Sequence, residues 1–411
     1  MFVGYSAELE AFRGEVRALV DAWLPAGWRD GVRPTGAAAV AFAQEWNARL
    51  HEAGWAVPTW PERYGGRGLD VARAAVFAEE VAEADAPIQP PAGGEILVGP
   101  TILHLGTDAQ RERFLRPIAR GDEIWCQGFS EPGSGSDLAS LRTTARVDGD
   151  DLVLHGHKIW TSQAQEADWC FLLARTDPDA PAHRGISYLL VAMDQPGVEV
   201  RSIAQPDGTA GFAEVLLDGA RCPLAHVVGE LHGGWRVAMS TLGFERGTSA
   251  TSSWYRYDRD LRDIVATARA RGLDRDPVLR QRLAAAWSTV QIMRFQGMQV
   301  LTAALHPRSA GAVAGIEATT KLQWTEFHQR LTELAIDVRG VEATVLAGDG
   351  RPGVGVGLGH RATMHPYPVD ETQSAFLFSR AGTIFGGTSE VQRNIVAERV
   401  LGLPKEPARQ P

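Results

Sequence analysis

The apolar pattern of this 411-residue chain changes period twice, and no other feature constrains its fold as much. Up to about residue 122, and again from Trp235 onward, apolar side chains recur at three- and four-residue spacing, which marks one face of a helix. Between these regions lie short apolar runs broken by Pro, Gly and Asp, which read as strands and turns. A helix-period segment does not settle as a strand, so the chain is expected to be α+β, in α–β–α order. The expected units are 1–122, 123–230 and 231–411, a division that suits domains of about 100–200 residues.

Ser6 is placed to cap a helix carried by Leu9, Phe12, Val16, Leu19, Val20 and Trp23 and stopped by Pro25. A second helix covers about 37–54 and a third about 71–84, and two more flank Gly106 with Thr107 and Asp108 offered as caps. Asp148-Gly149 separates two apolar segments, a hairpin signal because such a turn needs positive φ. WCFLLAR, GISYLLVAM and FAEVLLD are further strands. Helical stretches at 234–271, 277–305, 311–346, 368–381 and 388–401 predict an antiparallel bundle. The glycine-rich run from Gly348 to His360 precedes no clear strand-to-helix phosphate unit and reads as a loop.

With 41 basic against 50 acidic residues, the net charge is −9, and 44% of the residues are apolar. That is the composition of a soluble globular protein. It argues against wrapping nucleic acid or coating anionic membrane, since both need a basic face. No apolar run reaches bilayer length and the N-terminus turns acidic, so a cytoplasmic protein without leader or membrane span is expected. Cys126, Cys170 and Cys222 are odd in number and widely spaced, which indicates neither a disulfide framework nor a zinc site. His155 and His157 alternate with Gly156, and no metal role is expected there. Only Lys158, Lys321 and Lys405 are lysines, a bias that reads as GC-rich bacterial codon usage with nothing catalytic in it.

Four clusters could carry chemistry. Trp235, Ala238, Leu242 and Glu245 fall at offsets 0, 3, 7 and 10, so one carboxylate lies on an otherwise apolar helical stripe. It is either half of a Glu245–Arg246 surface pair or a carboxylate facing a cavity, its pKa raised by desolvation towards that of a general base. Periodicity alone leaves both open. Gly243, Gly247 and Ser249 would leave room for a ligand beside it. The stretch WCQGFSEPGSGSD, Trp125 to Asp137, is a connecting loop or a set of N–H groups and hydroxyls for a polar cofactor edge. In HGHKIWTS, the Trp160 indole is core packing or a wall against a planar ring. Finally, Arg380 to Pro404 contains Ser389 followed by Gln392, a capping-box pattern. There Gly386 and Gly387 deliver the chain to a helix N-terminus that favours a negative oxygen, although a plain cap explains the pattern equally well.

In combination these segments resemble the acyl-CoA dehydrogenase family of flavoproteins. WPERYGGRG, SEPGSGSD, KIWTS, LGFERG and IFGGTSEVQRNIVAERVLGLP occur in that order over nearly the whole chain. The resemblance implies an N-terminal helical domain, a middle β-barrel or sandwich, and a C-terminal four-helix bundle, with FAD between the last two and acyl-CoA against its ring. It implies α,β-dehydrogenation of a thioester to the trans-2-enoyl-CoA: a carboxylate takes the α proton and the β hydride passes to flavin N5. By motif match, Gln127, Phe129, Ser130 and Ser136 would lie beside the isoalloxazine, Ser136 also near the acyl chain, and Trp160 and Ser162 on the ring's other side. Arg280 and Gln291 match residues that grip FAD across a subunit boundary, although Leu283 and Ala284 replace the usual Phe-Gly between them. Gly387, Thr388 and Ser389 match FAD contacts of the last helix, and Gly243 and Arg246 match the substrate side.

Two departures matter. Many members place the catalytic glutamate directly before the Gly-Thr-Ser of the last motif, but that position here is Gly386. A subset resembling the isovaleryl and long-chain enzymes carries the base on the first helix of the C-terminal domain, where this chain has Glu245, the residue the helical-face pattern singles out. Glu245 is therefore the expected base, with the Gly386 N–H helping to polarise the thioester carbonyl. The second departure is the absence of a Q-x-x-G-G-x-G element in the segment Gly348 to Pro368, which bears on quaternary structure. The resemblance implies an electron-transfer flavoprotein as acceptor and a homotetramer or dimer. A mixed α2β2 tetramer, as in some actinobacterial relatives of steroid side-chain degradation, is the second choice. The alternatives are an acyl-CoA oxidase, a dehydrogenase of carrier-bound acyl groups in secondary metabolism, and a partner subunit that binds flavin or acyl-CoA.

Overall fold

A computed structural model describes residues 6–34, 37–87, 93–305, 310–345 and 369–405; within helix 234–270 the side chains of 245–253 lie outside the description. Among the described residues up to 122 there are five α-helices. In α1 (Ala7–Trp23) the Ser6 hydroxyl accepts from Leu9 N–H at 3.3 Å, and in α3 (Val71–Glu83) Asp70 accepts from Arg73 N–H at 2.8 Å. These two helices and α2 (Ala37–Glu52) share a core of Val16, Val20, Trp46, Trp55 and Phe77. At its edge Arg13 and Arg17 both reach the buried Glu80 carboxylate at 2.8 Å. A π-turn, Gly94–Val98, leads into α4 (Gly99–Leu105), and α5 (Asp108–Arg120) starts from a capping box of Thr107 and Gln110.

Eight strands follow: β1 (Trp125–Gly128), β2 (Thr144–Asp148), β3 (Asp151–Ser162), β4 (Trp169–Arg175), β5 (Ile186–Ala192), β6 (Val198–Ile203), β7 (Phe212–Pro223) and β8 (Val227–Val228). They form one sheet in the order β6-β7-β3-β2-β4-β5-β8, with β1 parallel to β4. The β2–β3 hairpin turns one residue later than the Asp-Gly pair suggests: Asp148 pairs with Asp151, the loop is Gly149-Asp150, and Gly149 alone of the two has positive φ, 65°. Both faces of β4 and β5 are buried. Cys170, Leu172, Ala174, Leu189 and Val191 point one way, and Phe171, Leu173, Tyr188 and Leu190 the other. WCFLLAR is therefore a continuous apolar run. The first face meets Leu152, Leu154, Val215 and Leu217 because the sheet curls over itself, bringing the Cys222 thiol of β7 to Leu190 O of β5 at 3.4 Å. The second face is covered by α4, α5 and the next helix.

That helix, α6 (Gly234–Ala270), has 37 residues. Its first turns place Val237, Ala238 and Leu242 against the sheet-side core. Its last turns place Tyr257, Leu261, Ile264 and Ala268 against Val290 and Met293 of α7 (Pro277–Leu305) and Phe327, Leu331 and Leu334 of α8 (Ala310–Arg339). α9 (Glu371–Gly382) packs on α8. α10 (Ser389–Ile395) follows and ends in a second π-turn, Val396–Val400. The glycine-rich run 348–360 lies outside the described residues. Among the described residues no helix is long and apolar enough to cross a membrane.

His328 of α8 is buried in this bundle, and its Nε2 has no hydrogen-bond partner among the described residues. Burial, reinforced by Arg256 and Arg380, pushes it down to about 3 from the ordinary 6.5. The unfolded chain therefore binds a proton over that interval while the folded chain does not, so stability falls as pH drops below about 6.5. Replacing His328 with Phe is expected to flatten the fall in melting temperature between about pH 6.5 and 4. An equally steep fall in the variant would contradict this.

Candidate functional site

The loop after β1 meets the end of β3. Lys158, wholly buried, donates to Glu131 Oε1 at 2.8 Å and to Phe129 O at 3.2 Å, while Ile159 N–H donates to Ser130 O at 3.0 Å. Opposite β7, Lys158 pairs with Val215 and Thr161 with Ala213, so three steps on β3 span two on β7 and the strand bulges. In the bulge Trp160 adopts φ 60°, a left-handed conformation uncommon for a bulky residue. Its indole is 57% exposed and meets Phe212 edge-on, with ring centroids 6.2 Å apart. Ser162 lies opposite Phe212 and is half-buried. Phe129 is buried edge-on against Phe171 and Tyr188, Gln127 and Ser130 are half-buried, and Ser136 is exposed. Gln127, Phe129, Ser130, Trp160 and Ser162 are thus brought to one end of the sheet.

A second loop joins α9 to α10. Gly386 and Gly387 have φ of 63° and 91°, and a Cβ on Gly387 would lie 2.6 Å from Gln392 Nε2. Their carbonyls are held from within: Gln392 Nε2 donates to Gly386 O at 3.0 Å, and Lys321 Nζ donates to Gly387 O at 2.6 Å and to Gly382 O at 2.9 Å. Among the described residues the Gly386 N–H donates to no backbone carbonyl. The helix cap differs from the expected one. Thr388, extended with ψ 161°, accepts from Val391 N–H at 3.2 Å, and Ser389 is the first helical residue. Gln392 spends its amide on Gly386 and closes no capping box. The buried Ser389 Oγ has no partner among the described residues and borders a cavity of about 470 Å³ that Gln329, Thr383, Thr388, Arg393 and the carboxylates Glu326 and Glu390 also line. An orphan hydroxyl beside a polar cavity fits a hydroxyl-bearing part of a group such as the implied FAD.

On α6, the side chains of Glu245 and Arg246 lie outside the described residues, and only their helical backbone is placed. A Cβ on Gly243 would meet nothing within 4 Å, so the helix is open there. Thr241, one turn before Glu245 on the same face, is buried; its hydroxyl lies 2.8 Å from the Thr101 hydroxyl and 3.4 Å from the Tyr188 phenol. Phe244 stacks on His104 of α4 at 5.3 Å. Arg280 and Gln291 sit three turns apart on one face of α7, the first exposed, with Nη1 donating to Asp274 O at 3.2 Å, and the second half-buried. α7 packs against α6, α8 and α3, so these two residues are not gathered with the β1 and β3 residues. Sequence reasoning missed Glu131, Lys158, Thr241, Lys321 and Gln392. The scarcity of lysine was a usable signal for two of them.

Sequence profiles of the acyl-CoA dehydrogenase family match in three parts: the N-terminal domain over residues 6–122, the middle domain over 126–219 and the C-terminal domain over 232–401. The chain is 44% identical over 403 residues to acyl-CoA dehydrogenase IpdE1 of Mycobacterium tuberculosis, covering 97% of this chain and 99% of that one. Among solved structures it resembles the Tcur3481-Tcur3483 steroid ACAD with a TM-score of 0.80 at 31% identity, covering 99% and 100% of the two chains. It resembles the ChsE4-ChsE5 complex from Mycobacterium tuberculosis with a TM-score of 0.77 at 30% identity, again covering 99% and 100%.

The clamp on the α9–α10 loop can be tested alone. Gln392→Leu leaves the Gly386 carbonyl without its donor, at a cost of about 1–3 kcal/mol. Amides 383–388 are then expected to exchange hydrogen about five to a hundred times faster, because the loop opens more often. Unchanged exchange in that segment would contradict the clamp.

Proposed function

Because the chain belongs to the acyl-CoA dehydrogenase family of FAD-dependent oxidoreductases, we propose that it introduces a trans-2 double bond into an acyl-CoA thioester, with Glu245 as the base. The observation that carries this reading is a complementary pair. Gly386 stands where many relatives hold the glutamate, and α6 supplies a glutamate at 245, one turn after the buried Thr241. Glu245 removes the α proton. FAD, when bound, accepts the β hydrogen as hydride. The Gly386 N–H, which donates to no backbone carbonyl among the described residues and whose own residue's carbonyl is held by Gln392, donates to the thioester carbonyl and so acidifies the α carbon.

Ser130, Trp160 and Ser162 hold the flavin ring between the β1 loop and the β3 bulge, supported by Gln127 and Phe129. Ser136 reaches toward the acyl chain, and Gly387, Thr388 and Ser389 take the polar part of the cofactor. Gly243 and Arg246 face the substrate. Arg280 and Gln291 grip the cofactor of a second chain, which suits their place on α7. The open space at Gly243 and the steroid ACAD among the similar structures support a bulky, ring-bearing acyl group. Electrons pass to an electron-transfer flavoprotein in the cytoplasm. Since Glu245 and Arg280 lie on one chain, the assembly proposed is a homotetramer. A mixed α2β2 tetramer is the second reading, favoured by the two-chain complex among the similar structures.

Anaerobic mixing with a substrate acyl-CoA is expected to bleach the flavin band of the wild type. Glu245→Gln is expected to bind the same ligand and reduce its flavin about 10²–10⁴-fold more slowly, the usual contribution of a general base. Reduction at the wild-type rate would remove Glu245 from that role.

A further inference from the structure

We propose that Lys158 is a positioning residue for the flavin, its buried ion pair with Glu131 orienting both the Ser130 amide and the Trp160 indole. This rests on the reading that Ser130 and Trp160 border the isoalloxazine. Desolvating an ammonium and a carboxylate costs several kcal/mol per ion, and apolar side chains fill such a space at no comparable cost. The pair therefore calls for a reason beyond packing, and its hydrogen bonds supply one.

Lys158 Nζ binds Phe129 O at 3.2 Å as well as Glu131 Oε1 at 2.8 Å. In a planar trans peptide the carbonyl and the following N–H point in opposite directions. Holding Phe129 O on the ammonium thus turns Ser130 N–H to the far side of the loop, where it donates to no backbone carbonyl among the described residues. The next peptide is fixed at both ends, Ser130 O by Ile159 N–H at 3.0 Å and Glu131 N–H by Ser134 O at 2.9 Å. Glu131 also accepts Arg142 N–H at 2.7 Å and Thr143 N–H at 2.9 Å, which closes the base of the loop. Ile159, held to the loop, lies between Lys158 and the left-handed Trp160. One ammonium therefore anchors the residues proposed for both sides of the ring.

Its chemistry also answers why lysine persists here. In a chain with three lysines among 41 basic residues, codon bias favours arginine, yet Lys158 is wholly buried. A planar guanidinium is bulkier and presents its donors in a rigid fork, which does not match a carboxylate and a carbonyl gathered around a single point. Lys321 follows the same logic on the α9–α10 loop.

The test separates positioning from folding. Lys158→Met alone strands a buried carboxylate, so the informative protein is Lys158→Met/Glu131→Gln, in which neither side is charged. Its melting temperature is expected near that of the wild type. Titration of its deflavinated form with FAD is expected to give a Kd weakened by at least about tenfold, with an altered visible circular dichroism of the bound flavin. Glu131→Gln and Lys158→Arg are expected to move both readouts in the same direction. Wild-type affinity and dichroism in the stable double variant would overturn the proposal. Should the double variant not fold, the same two readouts unchanged in Glu131→Gln would overturn it. Trp160→Ala serves as the control. A changed dichroism there with none in the Lys158 and Glu131 variants rejects the role of Lys158, whereas no change in any of them rejects the flavin's placement.

Discussion

Helix α6 buries its opening turns against the sheet and its closing turns against α7 and α8, and the segment between is fixed at both ends by cores that share no residue. Each fully buried Val, Leu, Ile or Phe contributes about 1.5–3 kcal/mol, so the two cores together hold the helix far more firmly than helical propensity could. Gly243 leaves open space, and Glu245 follows with a charge that a continuous core would not accept without a partner. One turn earlier the Thr241 hydroxyl lies within hydrogen-bond distance of both the Thr101 hydroxyl and the Tyr188 phenol.

Around this helix the two loops are held in a common way. In each a buried side chain holds loop carbonyls and so turns the following N–H groups away from itself: Lys158 on Phe129 O turns the Ser130 N–H, and Gln392 and Lys321 on Gly386 O and Gly387 O turn those of Gly387 and Thr388. Donors fixed before a ligand arrives cost no reorganisation when it binds, which is the requirement for stabilising developing charge. The left-handed backbone at Trp160, Gly386 and Gly387 is the local cost of that arrangement.

Features decided by neighbours in sequence were legible without coordinates. Ser6 and Thr107 cap where they were expected, and Gly149 turns the hairpin. β1, β6 and β8 were not foreseen: β1 lies inside a motif that reads as a loop, β6 has no fully buried residue, and β8 has two residues. Thr388 and Ser389 could each cap α10, and the choice falls to a glycine turn set by Lys321 and Gln392. Lys158 and Glu131 are 27 residues apart and meet only because the sheet brings β1 and β3 together. The rarity of lysine was visible from the start, yet rarity has meaning only once burial is known. The helical stripe singles out Glu245 in the sequence itself and leaves open whether it pairs with Arg246 at the surface or faces a cavity.

The structure of the FAD-loaded protein with a non-reactive acyl-CoA analogue bears most directly on the role of Glu245. Its carboxylate is expected about 3–3.5 Å from the α carbon, the separation of groups poised to react, with the Gly386 N–H on the thioester oxygen. A different carboxylate at the α carbon, with Glu245 turned outward to pair with Arg246, would contradict it.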